Sequence, residues 1–115
     1  MQTAPDDKPS VSPQVLEQMA AHVDDAASLL KALANPHRLQ VLCALGSGEM
    51  AVGELNEIVH LSQSALSQHL AKLRSDGLVE TRRESQTIYY RLNRGPARDI
   101  IEVLRRHFCG AEDRL

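Results

Sequence analysis

Aromatic residues are nearly missing from this chain, which has no tryptophan, one phenylalanine and two tyrosines among 115 residues. A core of stacked rings is therefore excluded. With 43% apolar residues, the interior has to be built from Leu, Ile, Val and Ala. Cysteine is scarce as well: Cys43 and Cys109 are the only two, too few for the disulfide scaffold of a small secreted domain. No apolar run approaches the roughly 20 residues that cross a bilayer. The opening MQTAPDDKPSVSP has neither the basic start nor the apolar stretch of a secretory signal. A cytoplasmic location with no membrane partner is expected, and there two thiols call for an explanation other than a structural staple.

Positive charge is also short overall, with a net of -2. Its distribution is uneven. Residues 1–61 carry three Lys/Arg against eight Asp/Glu, residues 62–115 carry ten against seven, and residues 62–94 carry six against three. The basic excess sits in one stretch, a weak pointer to a polyanionic partner on one side of the molecule.

The length fits one domain. Residues 1–13 hold three of the five prolines and read as a disordered arm, leaving 14–115 as the folded domain. From Gln14 to about Ala34, the apolar residues Val15, Leu16, Met19, Val23, Ala26, Leu29, Leu30 and Leu33 keep helical spacing. Asn35-Pro36 stops that helix and opens the next, with Asn as N-cap and Pro in the first turn. The second helix, His37 to Leu45, ends at Gly46-Ser47-Gly48. A short helix over Val52–Val59 turns Leu55, Ile58 and Val59 inward. Ser62 caps a longer helix that runs to about Ser75, closed by a left-handed Gly77. Leu78–Arg83 and Thr87–Leu92 alternate around Glu84-Ser85-Gln86 as strand, turn, strand. A last helix, Pro96 to Cys109, sets Ile100, Ile101, Leu104 and Phe108 on one side. A mostly α chain with a small β-hairpin after two closely linked helices is a winged helix-turn-helix.

The free face of the longer helix follows from its pitch of 3.6 residues per turn. Leu66, Leu70 and Leu73 form the buried stripe. Ser64, Gln68, Ala71 and Ser75 fall opposite, with Ser67 and Lys72 on the flanks. That face is short, uncharged and rich in hydrogen-bonding groups near its N-terminus, which suits the base edges of a DNA major groove. Gln63, Ser64, Ser67 and Gln68 are the candidate readers. Lys72 and Arg74 are candidate phosphate contacts, and Arg82 and Arg83, with Arg91 on the return strand, suit a wing that grips the backbone. His69, about 60° from the stripe, reads as half-packed at the core edge.

LLKALANPHRLQVLCAL, VGELNEIVHLSQSALSQHLAKLRSDGLV and ETRRESQTIYYRL together resemble the ArsR/SmtB family of bacterial winged helix-turn-helix repressors, over about Ala26–Cys109. The resemblance implies a homodimer formed by the first and last helices that binds double-stranded operator DNA until an inducer arrives. It implies no enzymatic activity. His107 and Cys109, two apart on a helix, do not face each other as a catalytic pair.

Metal sites of the family are broken here. Glu49-Met50-Ala51-Val52-Gly53 stands where a Cys-x-Cys would be, Asp99 is followed by Ile100 and Ile101, and His107 by Gly110. No cofactor is expected. The placement of Cys43 and Cys109 resembles the sulfide- and persulfide-responsive BigR/SqrR branch. That likeness implies sensing by bridging the two thiols with a disulfide or polysulfide, reactive sulfur species or oxidants being the inducer. The Arg105-Arg106 pair before Cys109 makes Cys109 the better candidate for first attack. The alternatives are a response to a metal or haem, or constitutive DNA binding.

Overall fold

The computed structural model describes residues 12–109, which divide into two compact units, one ending at Leu30 and one beginning at Lys31. The N-terminal arm expected over residues 1–13 lies outside the described residues except for Ser12 and Pro13. Pro13 already opens helix α1, Pro13–Leu33.

In the first unit, α1 leaves Val15, Leu16, Met19, Val23 and Leu30 between 43% and 60% exposed. At 100° per residue these five fall within a stripe about 100° wide. The helix is amphipathic, and in the single chain its apolar side meets water.

The second unit holds α2 (Pro36–Leu45), β1 (Met50–Ala51), α3 (Val52–Ile58), α4 (Gln63–Ser75), β2 (Val79–Glu84), β3 (Thr87–Leu92) and α5 (Pro96–Phe108). Asn35 starts α2 as expected, its Oδ1 accepting from the backbone N–H groups of His37 and Arg38 at 3.0 Å each. Ser62 starts α4, its hydroxyl accepting from Ala65 N–H at 3.1 Å. Gly77 ends it with φ 76°, and Leu78 N–H returns to Leu73 O at 2.9 Å. Only glycine takes that left-handed turn without a steric cost.

The sheet is antiparallel in the order β1-β3-β2. β2 and β3 pair from Val79↔Leu92 to Glu84↔Thr87, around a two-residue turn in which Ser85 has φ 58°. The short strand β1, pairing Met50 with Tyr90, was not anticipated. Two residues carry no alternation to read, and only pairing with β3 makes them a strand.

The core is aliphatic throughout. Val41, Leu42, Leu55, Leu66, Leu73 and Ile101 are fully buried, and Leu33, Leu45, Val59, Leu70, Val79 and Leu92 nearly so. Each such side chain contributes about 1.5–3 kcal/mol over an exposed one. One expectation fails. Ile58 is 53% exposed, because Leu55 and Val59, one turn apart, take the inward side of the short α3. On α5, Ile101 is buried, and Phe108, two turns later on the same side, is 80% exposed in the single chain.

Candidate DNA-reading face and thiol pair

Burial of Leu66, Leu70 and Leu73 fixes the rotation of α4 and turns Gln63, Ser64, Ser67, Gln68, Ala71 and Ser75 outward. Among the readers named from sequence, Ser64 alone has a recorded side-chain bond, a 3.4 Å hydroxyl contact with the cap Ser62. Lys72 is exposed and tied to Asp76 at 3.3 Å, while Arg74 points to solvent. His69 sits at the core edge as expected, its ring 5.8 Å from that of His37. Burial, then the charge of Arg38 and the neighbouring His37, holds its pKa below the ordinary histidine value.

On the wing, strand alternation sends the two arginines to opposite faces. Arg83 is exposed. Arg82 is engaged: its guanidinium forks onto Glu49, reaches Glu84 at 3.3 Å, and lies 4.6 Å over the Tyr89 ring. Arg91 faces Glu80, its direct cross-strand partner, and forms an ion pair with it. At the wing root, the Asn93 side-chain amide donates to Gly77 O at 2.7 Å, and Asn93 N–H donates to Leu78 O at 3.0 Å. These bonds join the end of α4 to the end of the hairpin, so α4 and the wing share one anchor. Glu49 and Asn93 escaped the sequence reading because their partners lie 33 and 16 residues away, with no local pattern marking them.

The two thiols meet. Cys43 is in the last turn of α2 and Cys109 caps α5, and the two thiols lie near enough for Cys109 to act on Cys43. Both side chains are half-buried. Burial, and then Cys109 itself, push the Cys43 thiol up from its ordinary value, with Arg105 working in the opposite direction. Cys43 is therefore protonated at neutral pH. Arg105, named from sequence beside Cys109, also acts on Cys43 across the helix pair. Among the described residues, no three His, Cys, Asp or Glu side chains cluster as metal ligands would. No described helix is long and apolar enough to cross a membrane.

The model of the arsR family of bacterial regulatory proteins matches residues 35–81, which run from the cap of α2 into β2. The chain is 51% identical over 100 residues to the transcriptional activator HlyU of Vibrio cholerae, covering 87% of this chain and 93% of that protein. Its fold matches the transcriptional repressor BigR of Xylella fastidiosa with a TM-score of 0.75 at 42% identity, over 81% of this chain and 92% of that one. It also matches the homodimeric winged helix-turn-helix DNA-binding domain of Mb0332 from Mycobacterium bovis, with a TM-score of 0.66 at 33% identity, over 87% and 89%. These relatives are regulators and DNA-binding proteins, not enzymes. The chain belongs to the arsR family and is a winged helix-turn-helix transcriptional regulator.

Proposed function

We propose that the protein is a cytoplasmic, homodimeric repressor that holds operator DNA while Cys43 and Cys109 are reduced and releases it when they are bridged. The observation that carries this reading is the nearness of the two thiols, Cys109 acting on Cys43 while Arg105 of α5 reaches Ser47, just past the end of α2. A direct disulfide forms where two cysteine Cα atoms come within about 4.4–6.8 Å of each other.

The DNA side of the reading rests on α4. A helix N-terminus with Gln63, Ser64, Ser67 and Gln68 outward offers donors and acceptors to base edges. Lys72, Arg74 and Arg83, with Arg82 when it leaves Glu49, supply phosphate contacts. Dimerisation is supported by the bare apolar stripe of α1 and by Val103 and Phe108, exposed on α5. A small chain gains most from a second copy that covers such surfaces.

The chemistry balances without a cofactor. A Cys109 thiolate takes the outer sulfur of a low-molecular-weight persulfide, and the donor leaves as a thiol. Cys43 then attacks the Cys109 sulfur, a disulfide forms, and hydrosulfide departs with the electron pair. When both cysteines carry an added sulfur, the outer sulfur of one attacks the inner sulfur of the other, leaving a trisulfide and hydrosulfide. Either bridge ties α2 to α5 and alters how two reading helices, about 34 Å apart on DNA, are held.

Intact-mass analysis after glutathione persulfide, peroxide or diamide, run beside operator binding of each product, tests this. Loss of binding that tracks a Cys43–Cys109 bridge supports the reading. Bridged protein that keeps its operator, or release without any bridge, refutes it.

A further inference from the structure

Gly46 follows α2 with φ -62° and ψ -22°, an ordinary helical conformation that any residue adopts. Its lack of a side chain serves something else. A Cβ there would lie 2.5 Å from Arg105 Cδ and 3.1 Å from Arg105 Nε, so the Arg105 chain runs directly across the glycine. Beyond it, Nη2 donates to Ser47 Oγ at 2.9 Å and Nη1 makes a long 3.5 Å contact with Gly46 O. At its own backbone, Arg105 O accepts from Cys109 N–H at 3.0 Å. One residue thus closes the helical turn that presents Cys109 and reaches across to the turn that follows Cys43.

We propose that Arg105 is a positioning residue of the thiol pair: threaded over Gly46, it holds the end of α2 against α5 and places a cation where Cys43 must become a thiolate to close the bridge. This rests on the sensing reading given above and assigns the group that regulates its second step. In that step the Cys43 thiol loses its proton to solvent, and its sulfur attacks the inner sulfur of the Cys109 persulfide. The bond between the two cysteines forms, the bond to the outer sulfur breaks, and hydrosulfide leaves.

Two features of the fold oppose the thiolate. Cys43 is desolvated, and it sits in the last turn of α2, at the negative end of the helix dipole. Arg105 meets both. It lies at that helix end and favours the charged form of Cys43, against burial and Cys109. Among the described residues, the titratable groups that act on Cys43 are Cys109 and Arg105, on α5 and its cap, so the reactivity of the thiol on α2 is tuned by the neighbouring helix. Ser47 Oγ and the glycine are what keep the cation there. Lysine, a point charge without a planar fork, would keep the sign and lose part of the geometry.

Three variants test this: Arg105→Gln, Arg105→Lys and Gly46→Ala. The first reading is the rate of Cys43 alkylation by iodoacetamide across pH 6–10 in a Cys109→Ala background. The second is the rate of bridge closure after persulfide uptake in the otherwise native chain. The Arg105→Gln profile should move to higher pH, with bridge closure at neutral pH about 3- to 10-fold slower. Arg105→Lys should fall between it and the parent, and Gly46→Ala should resemble Arg105→Gln because a Cβ expels the side chain. Operator binding by reduced protein should not change.

A purely structural tie would lower thermal stability in the variants and leave the Cys43 pH profile where it is, and that result overturns the proposal. Should the parent take up sulfur and never bridge, the sensing reading itself fails and Arg105 has nothing to position. A parent that bridges beside variants that bridge equally fast removes the role of Arg105 alone.

Discussion

Glu49, just before β1, grips Arg82 of β2 across 33 residues of sequence, Oε1 lying 2.7 Å from Nη2 and Oε2 3.0 Å from Nε. The bond draws the Glu49 carboxyl below its usual range and raises Arg82 further, so the pair stays ionised across any physiological pH. Arg82 is a wing cation under restraint. To reach a phosphate it has to leave Glu49 or share it.

Releasing that restraint should be visible in salt dependence. Glu49→Gln is expected to tighten operator binding about 3- to 10-fold at low salt and to steepen the slope of log K against log salt by about 0.9, the signature of one more phosphate contact. Fluorescence anisotropy at several salt concentrations measures both. An unchanged slope means that Arg82 stays off the DNA.

The reading face and the buried stripe of α4 should separate cleanly by mutation. Gln68→Ala or Ser64→Ala is expected to cost about 1–3 kcal/mol of operator binding where the side chain contacts a base, with the urea midpoint unmoved. Leu66→Ala, at a position with no exposed surface, should instead cost about 2–5 kcal/mol of folding stability. Binding and denaturation measured on the same preparations distinguish the two.

The helix that carries Cys43 depends on its cap. Asn35→Ala leaves the N–H groups of His37 and Arg38 without their side-chain acceptor, and should lower stability by about 1 kcal/mol in urea denaturation. Asn35→Asp, which keeps the acceptor, should lose little.

His69 gives the fold a sensitivity to acid. Its folded pKa is depressed by burial first and by Arg38 and His37 after it, so below about pH 6.5 the unfolded chain takes up a proton more readily than the folded one. The contribution of His69 is whole above that pH and is lost as pH falls through the folded value. Urea midpoints between pH 7.5 and 5 should decline in the native chain and decline less in His69→Gln.

Local chemistry made much of this architecture legible in advance. Asn35-Pro36, Ser62 and Gly77 are caps whose residue types name their conformations, and the spacing of Leu66, Leu70 and Leu73 fixed the outward face of α4 before any coordinates. Relations set by tertiary packing were not legible. Two-residue β1 has no pattern of its own, and Ile58 lost the inward side of α3 to its neighbours. Gly46 looked like a helix terminator, and only the path of Arg105 shows why a side chain is excluded there. Arg105 itself was associated with Cys109, its neighbour in sequence, because nothing along the chain says that it crosses to the helix of Cys43.

The proposed switch requires that joining two sulfurs changes the hold on DNA. The direct measurement is operator affinity for the reduced protein, for the protein bridged between Cys43 and Cys109, and for a Cys43→Ser, Cys109→Ser double variant given the same persulfide treatment. The bridged protein should bind about 5- to 150-fold more weakly than the reduced one, the range of a typical coupling of 1–3 kcal/mol, while the double variant keeps its affinity throughout. Equal affinity in the bridged and reduced states, or an equal loss in the double variant, would contradict it.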